Sequence, residues 1–244
     1  MASDARNRFA QVRLWVAERS ADLGAPVSVE LLCATAVARL GMSGAALTMH
    51  RDGWPEARLV TDTLGARLAE LEVTVGEGPC LDARRESRPV LVSDLAAVAG
   101  QRRWPLFAPL AVEAGAGAVF ALPMCVGAIR VGVLVLHRVS AGRLGRAALS
   151  EALAFAELAM GLLLDEQARL PVAKIDVADP DGVPLLTPQV HQATGMVAAQ
   201  IDGEMADAFA RLRAQAFADQ RPLHEVAADV VARKLRFRQD GEGA

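Results

Sequence analysis

Cysteine is scarce in this chain of 244 residues. There are three, Cys33, Cys80 and Cys125. The odd number and the absence of a paired spacing exclude a disulfide framework and predict reduced thiols in a cytosol. No apolar run reaches the roughly 18–20 residues of a membrane span, so no membrane partner is expected. The first residues, MASDARNRF, lack the apolar core of a signal peptide, which argues against export. Tyrosine is absent, and aromatic residues make up only 4% of the chain. A basic excess is missing too. The net charge of −3 excludes a globally basic nucleic-acid binder.

Catalytic signatures are also missing. Four histidines, His50, His137, His191 and His224, are scattered along the chain. None sits in HExxH, CxxC or GxSxG. The Gly76-Glu77-Gly78 turn is followed by Pro79, which removes an N–H donor, and by no Lys-Ser/Thr pair. It reads as a tight turn and not as a phosphate loop. No enzyme, no metal site and no cofactor is expected.

What is present is a globular composition, 52% hydrophobic and 23% charged. Residues 5–20 read as an amphipathic helix with Phe9, Val12, Trp15 and Val16 on one face. Residues 28–40 read as a second, capped by Ser28 and ended by Gly41. The period then shortens. Ala45–His50 reads as a strand, Asp52-Gly53 as a turn and Ala57–Thr61 as the return strand. Residues 65–73 return to helical spacing, and a helix opens near Leu81. Pro89–Val92 is a short strand, and Arg103–Phe107 starts another helix. Gly117–Met124 and Arg130–His137, rich in valine and leucine, read as central antiparallel strands. Arg143–Arg169 is a long closing helix with apolar residues on more than one face. The expected fold is α+β, one antiparallel sheet covered by helices, over residues 1–168.

Residues 169–187 contain Pro171, Pro180, Asp181-Gly182 and Pro184, and read as a linker. Residues 188–238 read as an all-α module of three short helices. Thr187 can cap the first, and Pro188 suits its first position. Val190, Ala193, Val197 and Ile201 make its stripe; Met205, Phe209, Leu212 and Ala216 make the second. Leu223, Val226, Ala227, Val230 and Val231 make the third, after Pro222. Each helix alone is too short to be stable in water, so the three stripes must share one core.

The module resembles an ANTAR domain, the RNA-binding output of bacterial antitermination regulators. The carriers are Gln192-Ala193-Thr194-Gly195-Met196, Ala210-Arg211-Leu212-Arg213 with Ala216-Phe217, and Leu223-His224-Glu225-Val226-Ala227 with Val230-Val231. Many members have Lys-Gly where this chain has Thr194-Gly195. The resemblance implies binding to RNA hairpins of a nascent transcript, controlling termination or access to a translation start. It points to Gln192, Thr194, Gly195, Arg211 and Arg213 as RNA-binding residues. Arg233 and Lys234, in the one basic cluster, would add phosphate attraction or simply favour the end of the third helix. From Asp181 on, nine acids outnumber seven bases. That balance favours the alternative of a small-molecule or redox sensor acting through protein–protein contacts.

The first part resembles a GAF domain. The carriers are Gly76-Glu77-Gly78-Pro79-Cys80 with Asp82-Ala83, Pro89-Val90 with Asp94-Leu95, Arg103-Trp104-Pro105, Leu122-Pro123 and Gly132-Val133-Leu134. The resemblance implies a sensor with an unidentified small-molecule ligand or none. Trp104, Phe107 and Phe120 either line a ligand cavity or plug the core. Cys80 is either a reactive thiolate at a helix start or a small buried residue at a turn. A homodimer along Arg143–Arg169 would present two modules to two hairpins.

Overall fold

The computed structural model of the protein describes residues 2–51, 54–127, 129–169 and 188–238. Asp52-Gly53, Thr187 and residues 170–187 of the expected linker lie outside these residues, while Arg169 is helical. The chain opens with α1 (Ala2–Leu23) and α2 (Val29–Leu40). Ser28 caps α2 by accepting from the Leu31 N–H at 3.2 Å, and Gly41 closes it in the left-handed conformation. The hairpin β1 (Gly44–Arg51) and β2 (Trp54–Val60) follows. Asp62 then caps α3 (Thr63–Val75), accepting from the Gly65 N–H at 3.0 Å. Next come α4 (Pro79–Glu86), β3 (Val90–Val92), α5 (Val98–Arg103) and α6 (Phe107–Glu113).

The helix expected to start over Arg103–Phe107 begins only at the last of these residues, and Trp104, Pro105 and Leu106 form the break between α5 and α6. Proline disfavours the helical region for the residue before it, and Trp104 turns out to φ −133°, ψ 77° ahead of Pro105. Glu77 then caps α6, its Oε1 accepting from the N–H groups of Leu106 and Phe107 at 2.6 and 3.0 Å. The antiparallel pair β4 (Ala118–Val126) and β5 (Ile129–Arg138) leads into α7 (Arg146–Arg169). This helix starts three residues later than its apolar pattern suggests, just after Gly145.

The sheet order is β2-β1-β5-β4-β3, antiparallel throughout. Its two faces carry separate cores, because successive strand residues point to opposite sides. Ala45, Leu47, Phe120, Leu122, Leu134 and Leu136 face α1, α2 and α7. Ala46, Val119, Ala121, Val133 and Val135 face the layer of α3, α4 and α6.

By length and mean hydropathy, Arg146–Glu166 would suffice to cross a membrane, although charged residues interrupt its apolar run. Here its inner face packs on the sheet layer, with Ala152, Phe155, Ala156, Ala159 and Leu163 all buried.

The last three helices are α8 (Pro188–Ile201), α9 (Met205–Ala218) and α10 (Leu223–Val231). Their stripes meet as expected: Val190, Ala193, Val197, Leu212, Ala216, Leu223, Val226 and Val230 are buried together. One further residue joins this core from the first domain, Val73 of α3. Arg233 turns the chain after α10 with φ +60°. Leu235 and Phe237 then fold back on the module, and the Phe237 N–H donates to Gln200 Oε1 at 2.8 Å. The basic cluster therefore lies on this returning strap and not on the helix itself.

Candidate functional site

Between the sheet and α3–α4 lies a cavity of about 20 Å³. That is room for about one water molecule. Thr48, Leu68, Glu72, Cys80, Phe107 and His137 are among its lining. Three of them are polar side chains in an otherwise apolar site.

Glu72 sits on the inner face of α3, almost wholly buried. Its Oε1 accepts from the Cys80 N–H at 2.8 Å, the first free amide of α4 after Pro79. Burial pushes its carboxyl up to about 8, against the stabilising pull of that amide, so it carries its proton at neutral pH. The Cys80 Sγ lies 3.3 Å from Thr48 Oγ1. Burial, and then the neighbouring Glu72, raise the thiol well above its ordinary value. The start of α4 does not make it a thiolate, because desolvation outweighs the helix end.

His137 is fully buried near the end of β5, the central strand of the sheet, and is not the edge residue that its place at a strand end suggests. Its Nε2 lies 3.0 Å from Asp62 Oδ2, whose other oxygen caps α3. One carboxylate thus ties the sheet to the start of α3.

The structure brings Cys80 and Phe107 to this cavity and leaves out two expected neighbours. Phe120 points to the opposite sheet face, into the α1–α2–α7 core, by the alternation of β4. Trp104 is buried beside α4, where its indole N–H donates to Asp82 Oδ2 at 3.1 Å. It borders a separate open groove along β3 and α5. Glu72, Glu77 and Asp62 are structural side chains. The visible signal for Glu77 is the Gly-Glu-Gly turn, and for Asp62 its place just before a helical pattern; Glu72 has none.

On the three-helix module, Gln192 is exposed and Gly195 is partly exposed. No atom outside the helix's own backbone and its two neighbours lies within 4 Å of where a side chain at Gly195 would start. Thr194 is buried, and its hydroxyl donates to the Val190 carbonyl at 2.7 Å. It lies in the module core, away from any surface partner. Arg211 Nη1 donates to the Arg238 carbonyl at 3.1 Å. Arg213, two positions on and about 200° around the helix, points the other way. Its Nε donates to the Thr74 carbonyl of α3 at 2.9 Å. Arg233 and Lys234 are exposed on the strap.

The sheet lies between two helical layers, with a small cavity on one side. The family model for the GAF domain matches residues 28–163, and the chain belongs to the GAF domain family. Similar solved structures include the GAF domain of a phosphoenolpyruvate-protein phosphotransferase from Acinetobacter. It is 10% identical, with a TM-score of 0.46 over 69% of this chain and 98% of that one. The GAF-B domain of DevS from Mycobacterium smegmatis is 20% identical, with a TM-score of 0.42 over 59% and 96%. The cyanobacteriochrome TePixJ GAF domain is 14% identical, with a TM-score of 0.43 over 59% and 98%. No curated protein matches the sequence.

Proposed function

We propose that this GAF protein is a signal-responsive RNA-binding regulator whose three-helix module takes RNA hairpins and controls termination or translation. The support is the ANTAR resemblance of residues 188–238, together with one observation, Gly195. A glycine inside a helix costs about 1 kcal/mol against alanine. Here it is not spent on close packing within the chain, since a side chain would find open space. It leaves the backbone of α8 approachable by a partner, beside the exposed amide of Gln192. Arg211 supplies a cation on the neighbouring helix. The module's acidic balance means that such binding would rest on loop shape and a few contacts more than on charge.

The sensor half contributes no catalytic step to this reading. Two copies would meet along α7, where Leu153 and Leu164 remain 40% exposed. The test is a titration of the full chain against RNA carrying two short hairpins, and against the same stems with their loops replaced. Loop-dependent binding supports the reading. Equal affinity for both RNAs, or none for either, rejects it and turns attention to protein docking.

A further inference from the structure

The two domains meet along α3, and Arg213 makes the hydrogen bond at its end. Arg213 leaves α9 and lies over the C-terminal end of α3. Its Nε donates to the Thr74 carbonyl, and its guanidinium sits 5.8 Å from the centroid of Phe209. Gly76, at φ +76°, ends α3, and a side chain there would run into that guanidinium. Val73 enters the module core beside it, and His224 Nδ1 of α10 lies 3.3 Å from Glu70 Oε1. The same helix α3 walls the cavity with Leu68, Ala69 and Glu72. One short helix therefore has the sensor cavity on one side and the output module on the other.

We infer that Arg213 is a latch: docked on Thr74 and Gly76 it holds the module against the sensor, and RNA engages only when this contact opens. The inference rests on the RNA-binding reading above and names its regulation.

The latch is built to be released. Among the described residues no carboxylate pairs with Arg213. Its partners are a carbonyl and a ring. Burial, and then the like charge of Arg85, lower its pKa from the ordinary arginine value, so docking stabilises the cation poorly. A phosphate backbone would supply the counter-charge that the docked position lacks. The cavity supplies the other lever. At about 20 Å³ it admits no ligand larger than about one water molecule unless a wall moves. Displacing α3 would shift Val73, Thr74 and Gly76 together and withdraw the seat of Arg213.

The test keeps Arg213 intact and alters its seat in the full chain. Gly76→Asn is the first variant, since asparagine tolerates the left-handed backbone while its side chain evicts the guanidinium. Glu70→Ala, which removes the partner of His224, is the second and does not strain the backbone. For each, affinity for a two-hairpin RNA is measured with amide exchange across α9. The latch predicts faster exchange in α9 and RNA binding tighter by about tenfold, a usual size for coupled sites. Glu70→Ala should show the same direction with a smaller change. Unchanged affinity and exchange in both variants, with wild type binding RNA, overturns the latch and leaves the RNA reading standing. Faster exchange with no RNA binding by any form overturns the RNA reading while upholding Arg213 as the docking contact.

Discussion

The side chain of Glu72 accepts the amide proton of Cys80 at 2.8 Å, tying the last turns of α3 to the first turn of α4. The tie is made by a carboxyl that keeps its proton at neutral pH, because burial pushes it up to about 8 from 4.5. That has a consequence for stability. Between these two values the folded state holds a proton that the unfolded state has released. Stability from this group is therefore full below about 4.5, declines as pH rises toward about 8, and stays flat above. Glu72→Gln keeps the acceptor for Cys80 and cannot ionise. At pH 8 it should be more stable than wild type by on the order of 4 kcal/mol. Denaturant unfolding at pH 5 and pH 8 measures this; the same loss of stability in both proteins would mean that Glu72 is not the source.

The cysteines should differ in reactivity. Burial pushes Cys33 up to about 12 and holds Cys80 well above its ordinary value, while Cys125 is partly exposed. Under native conditions a thiol reagent at pH 8 should label Cys125 first, with the other two following only on unfolding. Rapid labelling of Cys80 in the folded protein would revive a redox role for it.

Asp62 has two duties, capping α3 through the Gly65 N–H and holding His137 Nε2. Asp62→Ala removes the cap and leaves a buried ring nitrogen unpaired. The sum of a lost cap and an unsatisfied buried group is about 2–4 kcal/mol. Chemical denaturation should show that loss. A change below about 0.5 kcal/mol, the size of an ordinary surface substitution, would mean that the pair is incidental.

Much of this architecture is legible in the chain. Ser28 and Gly41 bound a helix because their side-chain and backbone chemistry acts locally. The valine- and leucine-rich runs become β4 and β5, and the three module stripes share a core, because burial imposes a period. What is not legible depends on where separate segments meet. Phe120 cannot be assigned to a sheet face until register and layers are known. Glu72 looks like an ordinary helix carboxylate until α4 closes over it. Arg213 reads as a surface arginine, since nothing in its own helix reports that α3 will lie against it. Pro105 is the reverse case: its effect on Trp104 is local and legible in the chain.

If the three-helix module takes RNA against the backbone of α8, Gly195 is the residue that decides the contact. Alanine at this position should raise helix stability by up to about 1 kcal/mol, since it meets open space within the chain. The measurement is RNA affinity of the full-length Gly195→Ala protein beside wild type, with thermal unfolding of both. The variant should melt at an equal or higher temperature and bind the two-hairpin RNA more weakly by about tenfold or more, as loss of close backbone approach implies. Undiminished affinity in the variant, or no binding by wild type, would contradict that contact.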